Sequence, residues 1–402
     1  MSEFIKFLER IANVCGIKLT QEHFMGIDEY HVASKILHEI NSFFYQKKQS
    51  IPGDYISEFH IYWKNNHKKI LRPTVGPNGE CLEVAKIFEG IYSKTRVKVH
   101  VDTLDLTAEE IANVRFFTSI QDFNIDIHAR GNPFELYKRI PESFSPKKIV
   151  NNELLIDTFL NMIGADSQRD KRKKWMENAA RLLVERYDGS ALNICNVHNG
   201  DVLEIIKALT ENERNGLSIK KAHMLLRDMA DLGIWSYSKN SDKLDVMSDK
   251  NTMRVALRTG IVQFSIPLLA SYLDVYCYQY SLVDQVCRDA WRKVWEDWGS
   301  LPNNHRPPTP ASMDYLIYRL GKIVCKNQKR ICFPSPPADF KQIESMFPQD
   351  RLAFDKDGYC IFNRLCKPER KILNPPNSIS IKGMTGWDRG KTNEGGGGGI
   401  SS

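Results

Sequence analysis

Long apolar runs are missing from this 402-residue chain. Its most apolar stretch, Gly260 to Tyr278, is broken by Gln263, Ser265, Pro267 and Asp274, a pattern of buried helices and not of a membrane span. The opening segment MSEFIKFLER carries acids early and has no extended apolar region, so no secretory signal is expected there. Cysteine is scarce too. Nine residues are too few for a disulfide scaffold, and their number is odd. A cytoplasmic location is expected, and thiols there stay reduced. A strong charge imbalance is also absent: 56 Lys plus Arg against 49 Asp plus Glu leave +7, which permits a polyanionic partner without demanding one. Internal repeats are not visible. What is present is a globular balance of 42% hydrophobic and 26% charged residues, which excludes collagen, coiled coil and wholesale disorder. The length suggests two or three domains.

Residues 1–145 read as an α+β region of unknown role. Val32, Ile36, Leu37, Ile40, Phe43 and Phe44 have helical spacing. Residues 57–63 and 95–101 alternate like strands, and Thr107 to Glu110 reads as a capping-box helix start. Cys15, His23, His31, Cys81 and His128 show no ligand spacing. Pro141 and Ser143 to Lys148 read as a linker. From Asn152 to Trp298 the pattern turns strongly helical, with apolar faces that include Phe159 and Leu160, Ala179 and Leu183, Ile205 and Leu209, and Leu225 and Met229. Pro302 to Pro310 is a polar break, and Met313 to Val324 is one more amphipathic helix. The expected divisions are 1–145, a core at 146–305, a cysteine-bearing region at 306–372, and a disordered basic tail at 373–402 that ends in Gly395 to Gly399.

Four cysteines, Cys325, Cys332, Cys360 and Cys366, are spaced C-x6-C, 27 intervening residues, then C-x5-C. Pairs of soft thiolates a few residues apart suit a metal or an iron–sulfur cluster. The C-x2-C knuckles usual for zinc ribbons are missing. The residues themselves leave a cluster, a zinc ion and four buried thiols open. Cys15, Cys81, Cys195, Cys277 and Cys287 are scattered and read as inert core thiols.

The cysteine spacing, with MDYLIYRLGKIVC leading into it, resembles the iron–sulfur loop of endonuclease III-type DNA glycosylases of the helix-hairpin-helix superfamily. The 27-residue gap departs from the family's short one. Upstream, NGLSIKKAHMLLRDM resembles the family hairpin, with Gly216, Ser218, Lys220 and Ala222 on its positions; Ser218 stands where the family has a second glycine. MSDKNTMRVALRTG resembles its aspartate-led helix, with Asp249 and Arg254 in place and Asn251 where a histidine is usual. GADSQRDKRKKWMENAARLL resembles its wedge segment, with Gln168 on the gap-filling position. The resemblance spans residues 152 to 366.

The resemblance implies a mainly α fold and a catalytic core that acts on double-stranded DNA, with a monomer and no membrane partner expected. It implies a DNA glycosylase that excises a damaged or modified base, with abasic-site lyase activity in one branch. Asp249 would be the catalytic carboxylate and Lys220 the lyase amine, or Lys221 if the register slips by one. Gln168, Gly216, Ser218, Lys171 and Arg172 would contact DNA, with Lys171 to Lys174 offered to phosphates. A 4Fe-4S cluster, or zinc, would sit on Cys325, Cys332, Cys360 and Cys366. The base is not named. The 28 residues between Lys220 and Asp249 leave room for a bulky one, as in phage DNA, and Trp235 and Tyr237 within them are stacking candidates or core aromatics. Two rivals remain. A non-catalytic hairpin module with a structural metal would not need both Lys220 and Asp249. A nucleoside or RNA glycosylase would not need Gln168 or the lysine cluster.

Overall fold

The computed structural model describes residues 2–46, 62, 65–66, 68–94, 103–122, 131–267, 281–325 and 348–366. In chain order the first helices are α1 (Glu3–Val14), α2 (Glu29–Gln46), α3 (Glu80–Tyr92), α4 (Ala108–Ile120), α5 (Pro133–Arg139), α6 (Pro146–Ile149) and α7 (Glu153–Met162). They continue as α8 (Arg169–Arg186), α9 (Asn193–Val197), α10 (Val202–Thr210), α11 (Ile219–Asp231), α12 (Lys250–Thr259), α13 (Ser281–Gly299) and α14 (Asp314–Arg319). A π-helix, Leu320–Cys325, runs on from α14. Strands β1 (Thr74–Val75) and β2 (Val262–Gln263) pair antiparallel, Thr74 opposite Gln263. The described chain is mainly helical. The strand-like segments 57–63 and 95–101 lie outside the described residues, apart from Tyr62, as do Cys277, Cys332 and the 373–402 tail.

Helix starts follow local chemistry. Thr107 Oγ1 accepts from Glu110 N at 3.3 Å, and Glu110 Oε2 accepts from Thr107 N at 2.8 Å, which closes the expected capping box of α4. Asn152 and Asp201 cap α7 and α10 by accepting from N–H groups of the first turn. The run Pro141 to Lys148, expected as a linker, falls in a 3-10 turn and α6, and these two elements bury Ser143, Phe144, Pro146 and Ile149. Proline at the first position of each turn starts it at little cost, and the apolar residues seat it.

Two compact units divide the chain elsewhere than at 145. The first draws on Met1–Val97, Ser248–Arg306 and Asp314–Lys391, the second on Lys98–Met247 and Pro307–Met313. The first unit is built where α3 packs on α13. Phe88 stacks on Trp291 with ring centroids 6.3 Å apart and meets Trp298 at 5.8 Å and Phe362 at 5.9 Å. Glu89 Oε2 accepts from Trp298 Nε1 at 2.5 Å and from His305 N at 3.0 Å. The second unit has one apolar core gathered from α4 to α11, including Phe116, Phe117, Phe159, Met176, Leu183, Leu225 and Leu226. Within it Asp228 is buried between Arg115 and Arg227, both of which donate to its carboxylate.

Of the scattered thiols, the four among the described residues, Cys15, Cys81, Cys195 and Cys287, are core residues, as expected. Burial pushes Cys15 up to about 11 and Cys81 up to about 12, and it raises Cys195 and Cys287. Thiols so shifted stay protonated and unreactive at neutral pH.

Candidate nucleic-acid interface and carboxylate site

Helices α10 and α11 are joined by a turn that ends in Asn215, Gly216, Leu217 and Ser218. Gly216 has φ +73, and a Cβ there would lie 2.7 Å from Trp175 Cγ and 2.9 Å from Ile120 Cγ2. Both conformation and space therefore demand glycine. Ser218 is the exposed N-cap of α11, its hydroxyl accepting from Lys221 N at 3.5 Å. That capping role accounts for serine where the resembling hairpins have glycine. Ile219 follows, half exposed, and Lys220 and Lys221 lie in the first turn of α11.

The two lysines differ. Lys221 Nζ donates to Ile120 O at 2.6 Å and to Gly216 O at 3.1 Å, and it lies 5.0 Å from the Trp175 ring centroid. Burial pushes its ammonium down to about 8; Asp122 opposes the fall, and Arg172 and Lys171 add to it. Lys220 is half-buried and makes neither of these carbonyl contacts.

The wedge segment is a tight loop before α8. Gly164 and Gln168 both have positive φ, +62 and +54, and Gln168 is half-buried at the N-cap of α8. Arg172 corrects an expectation. It does not face phosphate: it is fully buried, with Nη1 on Gln121 O (3.0 Å) and Oε1 (3.1 Å) and Nε on Ser167 O (2.7 Å). The reason is helical spacing, because position 172 falls on the inner face of α8 with Met176 and Ala179. Its neighbour Lys173 pairs with Glu153 at 3.0 Å and Asp157 at 2.8 Å. Lys171 and Lys174 are exposed, with Lys171 Nζ 5.0 Å from the Trp175 ring centroid. Trp235 is buried, and the Tyr237 hydroxyl donates to Leu226 O at 2.6 Å, so both belong to the core of this unit.

Asp249 belongs to the first unit. It is the N-cap of α12: Oδ1 accepts from Asn251 N at 2.7 Å and Thr252 N at 2.9 Å, while Thr252 Oγ1 accepts from Asp249 N at 2.8 Å. The carboxylate is held by backbone and is half-buried. Buried Arg254, one turn on, donates from Nη1 to Asn251 Oδ1 at 3.2 Å and to Gly321 O at 3.3 Å. Gly321 lies in the π-helix, and a Cβ there would lie 2.5 Å from Asn251 O. A glycine thus lets the π-helix ending at Cys325 press against the Asp249 turn.

Cys325, Cys360 and Cys366 are buried in this same unit. Cys360 Sγ accepts from Phe362 N at 3.5 Å, and Cys360 bridges Phe354 antiparallel. Their soft donors suit iron or zinc, but among the described residues no three His, Cys, Asp or Glu side chains are gathered closely enough to hold a metal ion. Sequence reasoning missed Trp175, Gln121 and the Asn251–Arg254–Gly321 contact. Only the mid-chain glycines, Gly216 and Gly321, hinted at close approaches there. Comparison with protein-family models gave no match, and comparison with curated proteins gave none either.

Proposed function

We propose that the chain is a helix-hairpin-helix DNA glycosylase with abasic-site lyase activity, excising a damaged or modified base from duplex DNA. The observation that carries the reading is the α10–α11 hairpin: a left-handed glycine that tolerates no side chain, an exposed capping serine, and a lysine in the first turn of the second helix. Such a turn aims first-turn N–H groups and the positive end of the helix outward, toward a phosphate. Support comes also from Asp249, a carboxylate whose position is held by two backbone N–H groups.

Because the glycosidic bond lies inside the base stack, the target nucleotide must be extruded. Gln168, at the head of α8, fills the gap, and Lys171 meets the backbone. As the base leaves with the glycosidic electrons, the sugar gains oxocarbenium character, and stabilising that charge is the part the resemblance gives to the Asp249 carboxylate. Lys220 Nζ then attacks C1′, the C1′–O4′ bond opens to a Schiff base as the nitrogen gives up its protons, and loss of a 2′ proton eliminates the 3′ phosphate. The resemblance places Lys220 on the amine position, while its neighbour Lys221 donates to the Ile120 and Gly216 carbonyls. Cys325, Cys332, Cys360 and Cys366 would supply the four thiolates that a 4Fe-4S cluster takes, and such a cluster would have a structural role.

Asp249→Asn keeps the N-cap, since asparagine caps as well as aspartate, and removes the charge. It is expected to unfold like the parent protein while base release falls by on the order of a thousandfold or more. Lys220→Ala is expected to lose borohydride trapping to abasic DNA outright, whereas Lys221→Met still forms the trapped adduct, more slowly. A parent protein that neither releases bases from oxidised, mismatched or bulky-modified duplexes nor traps on abasic DNA would overturn the reading. For the cofactor, aerobically purified protein is expected to be brown, with a broad visible band that Cys325→Ser abolishes. A colourless protein with one bound zinc replaces the cluster by zinc.

A further inference from the structure

The carboxyl end of α4 carries two cations from two different helices, Arg172 of α8 and Lys221 of α11. Its last residue, Ile120, accepts from Lys221 Nζ, which also holds the Gly216 carbonyl of the hairpin turn. The next residue, Gln121, is fully buried and exchanges hydrogen bonds with Arg172: Nη1 donates to Gln121 O and Oε1, and Gln121 Nε2 donates to Arg172 O at 3.3 Å. Arg172 in turn holds Ser167 O and Oγ, immediately before Gln168. Helix ends leave carbonyls without helical partners, and cations are favoured there. Here the two cations each tie a different loop to the same helix end. Trp175 closes the arrangement from the side, its ring against Gly216 and beneath both Lys171 and Lys221.

We propose that Arg172 and Lys221 are positioning residues, which through Ile120 and Gln121 hold the Gly164–Gln168 loop and the α10–α11 hairpin at one fixed spacing. The consequence rests on the functional reading above, in which the first loop fills the extruded base's place while the second grips the backbone. Two contacts on one DNA duplex act together only if their separation matches it. A displacement of about 1 Å from productive geometry can cost on the order of a hundredfold in rate. Neither residue is assigned to phosphate, because the Arg172 guanidinium and the Lys221 amine end on backbone, Gln121 and Ser167 atoms.

The test measures the spacing directly and then its use. Spin labels carried on unnatural amino acids replace exposed Asp166 and Asn212, so that native cysteines are untouched. The full-length parent is expected to give one narrow interlabel distance, and Arg172→Met, Gln121→Met and Lys221→Met are expected to broaden or shift it. Gln121→Glu, which keeps an acceptor for Arg172, and Lys221→Arg, which keeps a cation, are expected to restore it. These milder variants also keep the test decisive if a methionine variant fails to fold. On DNA, the methionine variants lose about a hundredfold in base release, while the slope of log affinity against log salt stays at the parent value. An unchanged distance distribution overturns the inference by itself. A salt slope lowered by about one, the signature of a lost phosphate contact, overturns the positioning role. A parent protein that keeps the narrow distance but does not bind duplex DNA sinks the functional reading instead, and with it the use assigned to the spacing.

Discussion

Burial pushes the Lys221 ammonium down to about 8 from the usual 10.5, with Asp122 resisting and Arg172 and Lys171 assisting. A lysine whose folded value lies below its unfolded one is a cost to the fold wherever both states are charged. Below about pH 8 that cost is full. Between about 8 and 10.5 the unfolded chain binds more protons than the folded one, so stability rises with pH, and above 10.5 the penalty has gone. The parent protein should therefore gain stability relative to Lys221→Met across that window, as read by urea unfolding midpoints on either side of it. A constant difference would count against the burial. Sequence showed that two lysines stand side by side. That one of them is consumed by carbonyls depends on Ile120, a hundred residues away in the chain.

Elements were the most legible level. Helical spacing predicted α2, α7, α8, α10, α11 and α12 and the helix before Cys325, and the capping box of α4 was readable from Thr107 and Glu110 alone. Such signals act over one or two turns, so no partner segment is needed to see them. How the helices pair was not readable. Arg115 on α4 and Arg227 on α11 share buried Asp228, also on α11. Burial by itself raises that carboxyl, yet Arg227 and Arg115 hold it below its usual value. Asp228→Asn keeps the shape and removes the charge the two guanidiniums share. It is expected to destabilise the protein by about 3–5 kcal/mol, measured by urea unfolding. A loss within about 0.5 kcal/mol, ordinary for surface changes, would mean the pair is not the tie between α4 and α11 described above.

At the scale of the molecule, residues 1–145 do not form a separate region. Their first part supplies α3, β1, Phe88 and Glu89 to the unit that carries Asp249 and the buried cysteines. Their second part supplies α4 and α5, including Ile120, Gln121 and Arg115, to the unit that carries the hairpin. A chain begun at residue 146 should thus lose partners in both units. It is expected to be insoluble or to unfold without a cooperative transition, and a soluble, cooperatively folded fragment would contradict this assignment. The sequence by itself determined most helix starts and their caps, and it nominated the side chains of the proposed chemistry: Lys220, Asp249, Gln168 and the four cysteines. Tertiary structure alone decided that Arg172 turns inward, that Gly216 must lack a side chain because Trp175 occupies its space, and that the N-terminal residues are shared between two units. The physical reason is range. Periodicity and capping are interactions of near neighbours along the chain, whereas burial and hydrogen-bond partnership are set by segments far apart in sequence that folding brings together.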